Sequence, residues 1–171
     1  MANKALFITI NDIKRKSIID GNVDNDKILQ FIEVAQDTHI QTYLGGKLYQ
    51  KLQTLILNGT IDDIGNANYK NLLDDYIKPM LIWFAQSSYL PFAMYQISNG
   101  GIFKHRSENS ETIGLEEMQM MLSKVNDTAE FYTRRFVDYI CYNSTLFPEY
   151  TSNTDSDVYP DKDVNSSNWV L

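Results

Sequence analysis

The residues of this chain that could do chemistry are few and scattered. Its two histidines, His39 and His105, lie far apart, and neither has a metal-ligand partner at i+3 or i+4. Asp37, beside His39, points to another side of a helix. A zinc or di-iron centre needs three or four converging ligands, so no metal site is expected. Nucleophilic catalysis would need Ser or Cys with a His base and an orienting carboxylate, and no serine sits in a strand–turn–helix elbow. Cys141 is the only cysteine, which excludes an intrachain disulfide, and its neighbours Ile140 and Tyr142 predict a buried thiol. Gly45-Gly46-Lys47 lacks both the upstream glycine spacing and the hydroxyl residue of a phosphate loop. The paired acids Asp62-Asp63, Asp74-Asp75 and Glu116-Glu117 are adjacent, so each pair diverges and reads as solvated surface. The expectation is a protein with no catalytic residues, metal or cofactor.

The remaining charged groups suit surface recognition. Basic clusters occur at Lys14-Arg15-Lys16, Lys104-His105-Arg106 and Arg134-Arg135, yet the formal net charge is −7. A nucleic-acid module should carry a basic footprint, and none is present. Ion pairs with an acidic protein surface are the better use of these clusters. The last segment, residues 148–171, holds five acids (Glu149, Asp155, Asp157, Asp161 and Asp163) against Lys162 alone. Eleven Tyr, eight Phe and two Trp are many for 171 residues, and Tyr and Trp are enriched at protein interfaces.

The elements that must position these groups read as helices. Thr9 or Asn11 can cap a short helix through Ile13, Lys14, Ile18 and Ile19. Asp24 or Asn25 can cap the next, whose buried stripe runs Ile28, Leu29, Ile32, Ala35, His39 or Ile40, and Tyr43 or Leu44. Gly45-Gly46 breaks that helix, and Leu48, Tyr49, Leu52, Leu55 and Ile56 continue it to Asn58-Gly59. A third helix signal starts at Tyr69 and is apolar nearly all round, which marks a central helix. Pro79 and Pro91 predict a kink or break in it, and the signal stops at Asn99-Gly100-Gly101. A charged, hairpin-like loop follows, Ile102 to Glu111. Leu115, Met118, Leu122, Val125, Ala129, Tyr132, Phe136 and Tyr139 then alternate at spacings of three and four, a seam suited to a bundle helix.

The expected fold class is therefore all-α: about four main helices, a protruding loop and an extended C-terminal tail. Residues 1–147 form the helical domain and 148–171 the acidic tail. No run of ~18 apolar residues and no leader pattern appears, so neither a membrane span nor export is expected.

Six stretches in order carry a family resemblance. They begin with Leu6-Phe7-Ile8-Thr9-Ile10-Asn11-Asp12-Ile13-Lys14-Arg15 and Ile19-Asp20-Gly21-Asn22-Val23. Gln36-Asp37-Thr38-His39-Ile40-Gln41-Thr42-Tyr43-Leu44-Gly45 and Asp75-Tyr76-Ile77-Lys78-Pro79-Met80-Leu81 follow. The last are Tyr89-Leu90-Pro91-Phe92 and Ile97-Ser98-Asn99-Gly100-Gly101-Ile102, running on to Ser107-Glu108-Asn109-Ser110-Glu111. Over about residues 5–145 the chain resembles the head-to-tail connector (adaptor, or first ring) proteins of tailed phages infecting Bacteroidetes, including crAss-like phages. The tail lies outside the match.

The resemblance implies a structural virion protein, made in the bacterial host cytoplasm and placed at the head–tail junction. It implies a homo-oligomeric ring of twelve copies below the portal protein, docking a downstream neck or tail protein. Genomic DNA would pass through the lumen without specific binding. The expected interface residues are Lys104, Arg106, Glu108, Asn109 and Glu111 on the loop, with Tyr159 and Trp169 as tail anchors. The rival reading is a helical scaffold or regulatory protein-binding module outside virions.

Overall fold

A computed structural model describes residues 4–19, 23–93, 95–98, 101–104, 114–152 and 158–164. The fold is all-α, with one small antiparallel ribbon. The helices are α1 (Ile10–Lys16), α2 (Asn25–Ala35), α3 (Gln41–Leu57), α4 (Ala67–Leu72), α5 (Lys78–Ala93), α6 (Leu115–Tyr142) and α7 (Pro148–Thr151). No helix among the described residues is long and apolar enough to cross a membrane.

Local sequence sets the starts and stops. Thr9 caps α1 through a reciprocal box with Asp12, and the helix ends at Lys16, so Ile18 falls outside it and is exposed. Asp24 caps α2 by accepting from the Asp26 amide. At the end of α3, Gly59 takes a positive φ of 67°, its amide bonds Ile56 and the Thr60 amide bonds Leu55. That pair of bonds is the Schellman arrangement, which satisfies the last free carbonyls.

Two π turns replace breaks. One, Gln36–Ile40, joins α2 to α3; the other, Leu73–Ile77, joins α4 to α5. The second explains Pro79, where a kink or break was expected. The wider turn ends with the Lys78 amide bonded to the Leu73 carbonyl, and the helix runs on through the proline. Pro91 also lies inside α5, two residues before its end.

α5 packs against both α2 and α6 and is the centre of the fold. Met80, Leu81, Ile82, Phe84, Ala85 and Gln86 are all buried, so its first half is covered all round. Its second half emerges, with Tyr89 and Phe92 braced by Phe31 of α2 at ring-centroid distances of 5.5 Å. The helix ends at Ala93, earlier than the apolar signal suggested. Tyr95–Ser98 is a strand (β1) paired antiparallel with Gly101–Lys104 (β2). Asn99 and Gly100, between the strands, form a dipeptide with the strongest short-range hairpin preference, which overrides the helical apolar pattern.

The core face of α6 also differs from the expected seam. Val125, Ala129, Thr133, Phe136, Val137 and Ile140 are buried, whereas Leu115 is exposed and Tyr132 and Tyr139 are half-covered. A straight helix drifts by ~20° per heptad, so the buried stripe walks off the a/d positions. Cys141 is exposed, correcting the buried thiol expected from its neighbours, because Ile140 takes the core position and the next residue turns outward.

The N-terminal segment is held by amide side chains instead of a strand. The Gln36 side chain accepts from the Phe7 amide at 2.7 Å and donates to the Ala5 carbonyl at 2.9 Å. Gln53 accepts from the Ala5 amide at 2.7 Å. These bonds satisfy extended backbone while Phe7 and Ile8 enter the core.

Candidate functional site

The expected interface residues do not form one surface. Backbone pairing sets Lys104 opposite Tyr95, at the end of the ribbon nearest α5. Tyr159 is 72% exposed and belongs to a C-terminal strap packed near the end of α7. Arg106, Glu108, Asn109, Glu111 and Trp169 lie outside the described residues.

Two other surfaces are well built. The first is the break inside α3. Gly45 adopts φ 72° and ψ 163°, a region open essentially to glycine alone. In a continuous helix the Gly46 amide would bond the Thr42 carbonyl. Here the Gly46 amide donates instead to the Val158 carbonyl at 2.8 Å, and the Asp161 amide donates to the Thr42 carbonyl at 2.9 Å. The strap thus fills both halves of one missing helical bond. Between those bonds sits buried Pro160, whose Cγ would lie 2.6 Å from a Cβ built on Gly45. Proline suits the position because its missing N–H leaves no donor to satisfy against the bundle.

Neighbouring groups reinforce the contact. Lys47 Nζ donates to the Ser152 carbonyl at 2.8 Å, and Lys162 Nζ lies 6.0 Å from the Tyr150 ring centre. Burial, then the nearby Asp161 and Asp163 carboxylates, push the Tyr43 hydroxyl up to about 12. Sequence reading found the diglycine break and gave the tail a docking role, but nothing in the spacing joined the two.

The second surface is an open cleft of about 450 Å³ lined by Tyr76, Arg135, Asp138, Tyr139, Tyr142 and Asn143. Tyr76 and Tyr139 stack with ring centres 4.0 Å apart and planes 17° from parallel. The Arg135 guanidinium lies 5.5 Å from the Tyr76 ring centre and 5.8 Å from that of Tyr132, within cation–π range. Tyr142 is 90% exposed at the rim. It recurs with exposed Met120 and Phe131 at intervals of eleven residues, about three helical turns, on the side of α6 away from its core stripe. Tyr and Arg in such a setting are the residue types that dominate binding energy at protein interfaces.

His39 belongs to neither surface. Its ring stacks on Phe84 at 4.0 Å and 5°, and burial pushes its pKa down to about 4. It is neutral at pH 7 and serves packing. Among the described residues no group of three or more His, Cys, Asp or Glu is placed to hold a metal ion.

Residues 40–160 match the model of a protein family described as "Family of unknown function (DUF6712)". The chain belongs to this family. The family span opens just before the α3 break and closes on Pro160, so it includes the Gly46–Val158 bond and Pro160, while Asp161 lies one residue beyond it. No curated protein and no solved structure matches the chain significantly.

Proposed function

We propose that this DUF6712 family member is a structural connector subunit that assembles with its own copies into a ring beneath a phage portal. The choice of a phage connector rests on the ordered resemblance of residues 5–145. The assembly part is supported by one structural feature, the open Tyr76–Arg135–Tyr139–Tyr142 cleft between the Leu73–Ile77 turn and the C-terminal half of α6. A bundle helix needs one apolar face; α6 has a buried stripe for the core and a second exposed row of Met120, Phe131 and Tyr142. A ring requires two different patches meeting head to tail and closing after a fixed rotation, with no catalytic group. The ribbon carried out by α5 would supply a second patch separate in sequence from α6. The chain's net negative charge would let DNA slide through the lumen.

Sedimentation of the chain with the portal protein of the same phage tests this reading. Co-migration with the portal in a fixed ratio is the expected result. Separate migration at micromolar concentrations would favour the scaffold or regulatory reading. A lumen lined by Lys14, Arg15 or Arg134 would contradict the sliding-DNA part.

A further inference from the structure

We propose that the gap at Gly45 is an exchangeable docking site, which in the assembled state takes residues 158–164 of a second copy of this chain. The proposal deepens the ring reading and rests on it for the presence of a neighbour.

Three observations carry it. First, the gap demands an occupant. With Gly45 at φ 72° and ψ 163°, the Gly46 amide and Thr42 carbonyl do not meet, and each is completed by the strap. A buried backbone donor or acceptor left bare is costly, so an empty gap is disfavoured. Second, the recognition is mostly main chain. The Val158 carbonyl, the Asp161 amide and the Pro160 ring make the contact, and every copy presents the same three groups. A neighbouring strap therefore fits the gap as well as the chain's own, and swapping an identical element is a low-cost route to assembly. Third, docking within one chain leaves Tyr159 72% exposed between two docked residues, with its large ring in water. At a boundary between copies that ring has an apolar surface to cover it, which tilts the equilibrium toward exchange.

Effective concentration decides which strap fills the gap. A free chain at low concentration fills it with its own. Copies held side by side in a ring present straps to one another at millimolar effective concentrations, where exchange competes.

Two single-cysteine chains test this, both carrying Cys141→Ser to remove the exposed native thiol. One carries Thr42→Cys and the other Asp161→Cys, positions joined by a backbone hydrogen bond of 2.9 Å. The mixed chains are assembled with the portal, oxidised mildly and run without reductant. The expected result is a covalent product of the two chains that reductant abolishes. Adding Pro160→Gly to the Asp161→Cys chain should lower its yield several-fold, which a random collision product would not show. A chain carrying both cysteines is the control for docking within one copy.

Rings in which the double-cysteine chain closes on itself, while the mixture gives no product, would overturn exchange. Failure of both to cross-link would overturn it as well, by showing that the strap does not occupy the gap. Product without rings would keep exchange and sink the connector reading. Rings without product would do the reverse.

Discussion

Thr42 and Gly46 stand where a helix would bond them to each other, and each is bonded instead to the C-terminal strap, at 2.9 and 2.8 Å. The sequence departs from helix for one residue, Gly45, and residues more than a hundred positions later repair the ladder. The break is thus a built receptor for an extended chain.

Gly45→Ala should destabilise the chain by about 1–3 kcal/mol from backbone strain alone, since only glycine occupies that region comfortably. The added methyl would also displace Pro160. Gly59→Ala, at a milder positive φ of 67° with open space around it, should cost about 1–2 kcal/mol. Urea midpoints of the two variants, compared with the parent, check the order.

The two sides of α6 should behave differently. Phe136 is fully buried, and Phe136→Ala should cost about 3–5 kcal/mol by leaving a cavity. Tyr142→Ala, on the exposed rim, should change stability by no more than about 0.5 kcal/mol while weakening ring formation at least ~10-fold. Denaturation and assembly titrations on both variants separate folding from association.

Acidification should weaken the fold through His39. Its folded pKa of about 4 lies below the ordinary 6.5, so between those values the unfolded chain binds the proton and the folded chain does not. Stability is full above pH 6.5, falls as pH drops from 6.5 to 4, and loses at most about 1.4 kcal/mol per pH unit from this group. His39→Phe keeps the stack on Phe84 and should flatten that slope. Urea unfolding at pH 7.5 and pH 5 reads the difference.

Much of the helical layout was legible in the residues, because caps and periodicity act locally. Thr9 and Asp24 cap where their side chains allow, and Gly45 breaks where a positive φ is needed. The errors came where a nonlocal or competing preference won. Pro79 ends no helix because a π turn upstream absorbs it. Tyr95–Ser98 looked like more helix because apolar residues continue, yet the Asn99-Gly100 turn preference pairs the segment as a strand. The strap contact was illegible, because its hydrogen bonds come from backbone groups that no residue type announces. The aromatic excess also divides: Tyr43, Tyr49 and Tyr150 are in the core, while Tyr142 and Tyr159 face outward.

The Lys104→Glu, Arg106→Glu double variant tests whether the segment after β2 is a contact in the proposed assembly. Surface charges contribute little to folding, so the thermal midpoint should stay within a degree or two of the parent, on the order of 0.5 kcal/mol. Association with the portal or with further copies should weaken, read as reduced co-sedimentation. Unchanged assembly would show that this segment is not a contact.

The most direct measurement of the proposed role is a cryo-EM reconstruction of a phage neck assembled in the presence of this chain. The account predicts a ring of this chain directly beneath the portal, with Tyr142 and Arg135 of each copy at a subunit boundary. A neck without this chain, or a ring in which the α6 cleft faces open solvent, would contradict it.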